Sequence, residues 1–246
     1  MERYEPETYG DRVAAVYDER PEVVRQVVGV DLLAELAGAG PALELGIGTG
    51  RVALPLAARG IEVHGLDASR AMVRRMQAKP SGDAVMIAIG DMADVVTPGG
   101  PYALVYVVFN TFFAILTQAD QVRCFENVAR ALHPGGRFLI EAFVPDLTRF
   151  DRDQRTSATR VAMDEVYIDV TEYDPVEQRL DAQHVVLRQG QPVEMLPVSL
   201  RFAWPSELDL MARVAGLALE ARHGGWHGEP FTSASATHVS VYRKPT

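Results

Sequence analysis

A chain of 246 residues with one cysteine, Cys124, can neither close an internal disulfide nor build a thiolate-rich metal centre. Cys124 lies in a helical pattern and reads as a small packing residue, and no metal is expected. Basic charge is also scarce. Twenty-four Lys and Arg face 33 Asp and Glu, a net charge of -9, which argues against a nucleic-acid backbone as partner. No apolar run approaches the length of a membrane span, since the longest, Tyr102 to Phe109, has strand length. The opening "MERYEPETYG" is polar and has no secretory apolar core. A cytoplasmic protein without membrane or nucleic-acid partners is the expectation. Repeats and low-complexity tracts are absent, and 48% hydrophobic residues suit one large domain, or one domain with an insertion.

What is present is organised around "LELGIGTGR", Leu43 to Arg51. Leu43 and Leu45 read as a short buried strand. Gly46, Gly48 and Gly50 then let the backbone turn sharply and approach a ligand closely. The following "RVALPLAARG" reads as a helix, whose N-terminal amides would meet that ligand. A dinucleotide fingerprint has its third glycine three residues after the second. Here Arg51 holds that place, and the last glycine comes one residue early. Glu44, inside the strand end, would repel a pyrophosphate and suits a cation.

The rest of the first 143 residues alternates short strands with helices. Tyr9, Val13, Val16 and Tyr17 recur at helical spacing. A second helix is expected from Pro21 to about Ala37. Pro55 should kink the helix from Arg51 to Arg59 or confine it to a short piece. Further strands are expected at 61–66, 85–89, 104–108 and 137–142. Ser69 caps one helix, and Thr117 with Asp120 forms a capping box for another. From Phe143 the pattern changes. Residues 148–160 read as a polar surface connection, and three runs of period two, 165–173, 179–188 and 194–204, read as an antiparallel meander. Ser206 and Asp209 read as a capping box for a last helix, followed by strands at 217–221 and 237–242. The expected architecture is α/β, a doubly wound, mostly parallel seven-stranded sheet with an inserted antiparallel meander. Its parts are 1–147 (lid helices and core), 148–204 (cap) and 205–246 (the remainder of the core).

In such a sheet ligands bind beyond the carboxyl ends of the strands. Four strand ends carry Glu44, Asp67, Asp91 and Asn110. A carboxylate at Asp67 can accept hydrogen bonds from both hydroxyls of a ribose, although Asp67 taken singly could merely cap a helix. "LELGIGTGR", "VHGLDAS", "GDMADV" and "LHPGGRFLIEAF" together resemble the conserved motifs of class I S-adenosylmethionine (SAM) methyltransferases of the small-molecule type. The resemblance implies that Glu44, Gly46 and Gly48 approach the methionine part of SAM and Asp67 the ribose. Ala68 and Met72 would meet the adenine face, Asp91 and Met92 its edge, and Asn110 the methyl. "YGDRVAAVYD" resembles the N-terminal lid of such enzymes, with Tyr9 and Tyr17 covering the donor. The position of the meander resembles the macrolide amino-sugar N-methyltransferases. The chain departs from them in having Asn110-Thr111-Phe112-Phe113 where those enzymes carry a histidine-rich stretch.

The expected activity is therefore in-line methyl transfer from SAM to nitrogen or oxygen of a small molecule, leaving S-adenosyl-L-homocysteine. A binding protein that holds SAM or a nucleotide without turnover, or a nicotinamide-dependent reductase, are the alternatives. An acceptor that arrives protonated needs a base. His223 and His227 follow the sixth strand on the ligand edge, with Trp226 between them as a flat wall. They are candidates for that role, and their alternative is a solvated surface loop. Glu141 and Tyr17 are rivals. His64, His133 and His238 read as structural, while His184 lies on the meander. The meander itself reads as a lid or as the surface of a homodimer.

Overall fold

The computed structural model describes residues 4–20 and 29–246. Seven strands form one sheet in the order β10-β11-β5-β4-β1-β2-β3. They are β1 (Ala42–Leu45), β2 (Val63–Asp67), β3 (Met86–Ile89), β4 (Tyr102–Val107), β5 (Leu132–Phe143), β10 (Ala218–His223) and β11 (Thr237–Arg243). β3, β2, β1, β4 and β5 pair in parallel, whereas β11 runs antiparallel between β5 and β10. The order steps outward from β1 in both directions, so a crevice opens where the ends of β1 and β4 diverge. Both sides of the central strands are covered. All four residues of β1 and all six of β4 are buried, as apolar runs between two helical layers must be.

One layer holds α2 (Val30–Ala37), α3 (Ala53–Ala57) and α4 (Arg70–Gln77), and the other holds α5 (Gln118–Ala131) and α6 (Pro205–Val214). Residues 21–28 of the helix expected from Pro21 lie outside the described residues. Pro55 confines α3 to five residues. Ser69 caps α4 by accepting from the Met72 N–H at 3.1 Å. Under α5, Phe125 is wholly buried and meets Phe112, Phe138 and Tyr242 edge-on, with centroids 5.1 to 5.6 Å apart. Burial of such a ring contributes about 2–3 kcal/mol.

Two capping expectations need correction. Thr117 accepts from the Asp120 N–H at 3.1 Å, but the Asp120 carboxylate turns to Arg123 rather than back to the cap. At α6 no side chain caps the helix. It starts at Pro205, whose fixed φ suits a first turn and keeps Trp204 extended. Asp209 instead binds Arg222 at 2.6 Å and the Tyr242 hydroxyl at 2.9 Å, clamping α6 onto β10 and β11.

The insertion is a four-stranded antiparallel sheet, β6 (Gln154–Val161), β7 (Glu165–Asp174), β8 (Arg179–Arg188) and β9 (Glu194–Arg201). β6 occupies most of what read as a surface connection. As an edge strand with most residues exposed it has no apolar alternation to betray it. The cap is rooted by Arg201, whose side chain is 6% exposed and reaches Gln121 of α5 at 2.6 Å and Glu207 of α6 at 2.8 Å. A charge so buried requires such partners.

The N-terminal segment closes the ligand edge. α1 (Thr8–Val13) packs so tightly on α4 that a Cβ at Gly10 would lie 2.6 Å from Ser69 Cβ. Asp11 accepts from the Ser69 hydroxyl at 2.6 Å. Val13 and Ala14 form an apolar cluster with Met72 and with Leu196 of β9, so α1 lies between the core and the cap. Further on, Asp18 accepts from the Thr49 hydroxyl at 2.6 Å and pairs with Lys79 at 2.8 Å. That latch ties the lid to the glycine loop. Burial would raise the Asp18 pKa, but the bonds from Lys79 and Thr49 outweigh it and leave the carboxyl more acidic than usual.

Candidate functional site

The glycine loop turns through positive φ at Gly46, Gly48 and Gly50. Two of these glycines also make room. A Cβ at Gly46 would stand 2.5 Å from Thr111 Cγ2, and one at Gly50 would stand 2.8 Å from Met76 Cγ. Glu44, just before the loop, is 3% exposed. Its carboxylate accepts from the Tyr106 hydroxyl at 3.1 Å and from the Ala53 N–H at the start of α3. Burial pushes its pKa up to about 8, against those bonds and the nearby Arg51 charge. A buried carboxyl held near neutrality suits a cation arriving from outside.

Asp67, at the end of β2, spans the loop. One oxygen accepts from the Gly48 N–H at 2.7 Å and the other from the Ser69 N–H at 2.8 Å. Burial raises its pKa, and these backbone bonds oppose the rise. Each carboxylate oxygen has two lone pairs, so a diol can still be accepted by both oxygens at once. Beside it, a recess of about 310 Å³ is lined by Glu7, Asp11, Ala68, Arg70, Gly90 and Asp91. Asp91 accepts from the Ala93 N–H at 2.8 Å, while Met92 packs toward the core and Met72 lies under the lid.

The turn after β4 is strained. Phe109 and Asn110 have φ of 57° and 63°, a conformation that costs a non-glycine residue about 1–3 kcal/mol. β5 holds them there: Glu141 accepts the Phe109 N–H, and the Asn110 side-chain oxygen accepts the Phe143 N–H at 2.7 Å. The strain presents the Phe109 ring to Arg51, whose guanidinium carbon lies 3.5 Å from its centroid. Arg51 also lies 5.8 Å from the Tyr17 ring and donates to its hydroxyl at 3.4 Å. The Tyr17 pKa is pushed up to about 12 by burial. The Glu141 pKa is raised by burial, which the Phe109 N–H and Arg51 oppose. The structure thus gathers Glu44, Gly46, Gly48, Asp67, Tyr17, Asn110 and Glu141 around the mouth of the loop. It adds Arg51, which sequence reasoning used only as a missing glycine.

His223 ends β10 opposite Val239, and Val239 in turn faces Glu141, so His223 does lie on the ligand edge. His227 is exposed, and its N–H donates to Glu229 at 2.9 Å. Trp226 is not a bare wall. A Cβ at Gly29 would lie 2.1 Å from its ring, so the indole is packed on the chain entering α2. Of the other histidines, His238 is buried and its pKa pushed down to about 4, and His184 bonds Asp169 of β7 at 2.6 Å. A separate cavity of about 700 Å³ opens between the lid and the cap, lined by Tyr4, Glu7, Asp11, Arg12, Glu172 and Asp181 among others.

A parallel sheet in this order, a glycine loop with a buried acid before it and a ribose-ready acid at the next strand end define a nucleoside site for a cationic ligand. Residues 42–136 match the family model described as a methyltransferase domain. A solved methyltransferase structure is 38% identical over 99% of the chain. The chain belongs to the class I SAM-dependent methyltransferases, and SAM is its methyl donor. That solved structure is the CcbJ methyltransferase of Streptomyces caelestis, with a TM-score of 0.91 and all of its own chain covered. The cypemycin N-terminal methyltransferase of a Streptomyces species is 28% identical over 204 residues, 82% of each chain. SAM-bound CalS10 from Micromonospora echinaspora, an amino pentose methyltransferase, shares the fold with a TM-score of 0.66 at 21% identity, over 89% of this chain and 93% of its own. No helix among the described residues is long and apolar enough to cross a membrane.

Proposed function

We propose that this methyltransferase acts on an amine nitrogen of a small, hydrophilic molecule. The observation that carries the reading is the cavity between lid and cap, whose lining sets four carboxylates, Glu7, Asp11, Glu172 and Asp181, against one arginine. Glu172 faces Asp181 across β7 and β8, so two of the acids are neighbours on the cap, and Asp181 also pairs with Arg179 at 2.9 Å. Such a surface attracts an ammonium and repels an acid. Asp11 belongs both to this cavity and to the recess beside Asp67, which makes the lid the partition between acceptor and donor. The likeness to an N-terminal methyltransferase and, at the level of fold, to an amino pentose enzyme supports the same reading.

On this reading Asp67 accepts both ribose hydroxyls, Ala68 and Met72 meet the adenine face, and Asp91 with the Met92 amide meets its edge. Glu44, Gly46 and Gly48 hold the methionine arm under Tyr9 and Tyr17. Asn110 faces the methyl from a turn that β5 has fixed in advance. SAM supplies a methyl already activated on a sulfonium. The chain must hold the nucleophile about 3–3.5 Å from that carbon, keep water out and take the proton the nitrogen loses. Glu141, Tyr17, His223 and His227 are the groups offered for the proton.

The test uses methyl-labelled SAM with acceptors in matched pairs, a free amine and its N-acetyl counterpart, beginning with glucosamine and N-acetylglucosamine and extending to amino-acid amides. Label should appear only on the free amines. Glu172→Gln and Asp181→Asn should each raise the amine KM about tenfold, the worth of one modest charge contact. Label on the hydroxyls of the acetylated members, or on no amine, would defeat the reading.

A further inference from the structure

We infer that the outer face of the cap is the contact through which two copies of this chain pair. The register of the four strands fixes which side chains share that face. Glu172 of β7, Asp181 of β8 and Ser199 of β9 stand side by side at the lid end, where they line the cavity described above. The next row is Val170, Gln183 and Pro197. Beyond it the polarity ends. Ala158, Ile168, Val185 and Met195 form one row across all four strands, and Val161, Val166 and Leu187 form another.

An apolar sheet face needs a second layer. The opposite face of the cap already has one, since Tyr173, Leu180 and Leu200 pack on the core and Leu196 packs with Val13 and Met72. The apolar half of the outer face has none among the described residues. Val161 is 73% exposed, Met195 58% and Leu187 39%, and Met163 and Val193 stand exposed in the turns at the free end. With Val170 these residues expose on the order of 700 Å² per copy, more than the roughly 300–600 Å² of the largest patch on a typical monomer. It is close to the 800 Å² or so that one partner gives a standard interface. The partner that fits is a second copy of the same face. The two apolar rows hold no charge that would select a charged foreign surface, and two such sheets can pack face to face about 10 Å apart.

Charge sets how the copies meet. A two-fold axis along the strands would lay the acidic end of one cap over the acidic end of the other, which like charges oppose. An axis across the strands, between the Ile168 and Val166 rows, sends the two acidic ends in opposite directions instead. At about 3.3 Å per residue, the free end of one copy then reaches the Val170 row of the other and stops short of its acids. Each copy thereby closes the outer rim of the other's cavity between lid and cap. The contact follows from the cap alone and holds whichever acceptor the cavity takes.

The test is sedimentation equilibrium of the full chain up to about 50 µM. The parent should run at twice the chain mass, with half-dissociation at about 1 µM or below, as an interface of standard size allows. Val161→Glu and Met195→Glu each bring a like charge from both copies into the contact and should weaken pairing by about a hundredfold or more. Both side chains protrude, so the melting curve should stay close to that of the parent. Met195→Gln, a milder change, should weaken pairing less and supplies the comparison if a charged variant does not fold. Val176→Glu is the control, because Val176 is 84% exposed in the turn between β7 and β8, at the other end of the cap, and pairing should persist. A parent that stays a single chain at about 50 µM overturns the inference. So does an assembly whose mass the Val161 and Met195 variants leave unchanged, or one that Val176→Glu dissolves equally.

Discussion

Glu44→Gln separates what the donor site needs from what the fold would prefer. An ordinary glutamate titrates at 4.5, and burial pushes Glu44 up to about 8. Between those values the folded chain keeps a proton that the unfolded chain has released, so stability falls as pH rises through the window. At 1.36 kcal/mol for each tenfold change in proton affinity, the loss is about 3 kcal/mol at pH 7 and approaches 5 kcal/mol above pH 8. Glutamine mimics the protonated acid without titrating. The variant should therefore match the parent at about pH 4.5 and be more stable by roughly 3 kcal/mol at neutral pH, rising further to about pH 9. Urea unfolding at several pH values measures the difference. SAM should bind the variant more weakly, because the neutral amide offers no charge to the ammonium. In the parent, SAM binding at pH 7 should expel close to one proton, about 0.9 by the same titration, visible as heat that depends on the buffer. A stability difference that stays flat with pH would refute the reasoning.

If Asp67 accepts both ribose hydroxyls as proposed, Asp67→Ala should lower SAM affinity by about two orders of magnitude or more, as calorimetry would record. Because Asp67 also ties Gly48 to Ser69, Asp67→Asn is the control that keeps one backbone acceptor. If either His223 or His227 takes the proton, its change to Ala should cost about a hundredfold in turnover at saturating SAM and remove the acidic limb of the pH profile. Rates within about threefold for both variants would leave Glu141 and Tyr17 as the groups to test.

Much of this architecture is legible because the ligand and the packing leave different marks. Strands buried on both sides show as apolar runs, and an acid closing one of them, as at Glu44 and Asp67, has no packing reason to be there. Interactions that join distant parts of the chain leave no such mark. Asp18 meets Thr49 and Lys79 from far upstream, and Arg51 meets Phe109 only because a turn is forced into an unfavourable conformation. β6 was illegible for another reason: an exposed edge strand is polar on both sides, like a loop. Asp209 looked like part of a cap because its spacing from Ser206 fits one. Pro205 had already set the start of the helix, and Arg222 made a stronger claim on the carboxylate.

The placement of α1 between α4 and β9 has a consequence for the order of events in a catalytic cycle. One face of this short helix packs on Ser69 and Met72, while Asp11 and Arg12 form part of the cavity proposed above for the acceptor. The helix cannot swing away without dismantling a wall of that cavity. If the proposed acceptor site is right, the expected order has the donor entering first and S-adenosylhomocysteine leaving last, which product-inhibition kinetics would check.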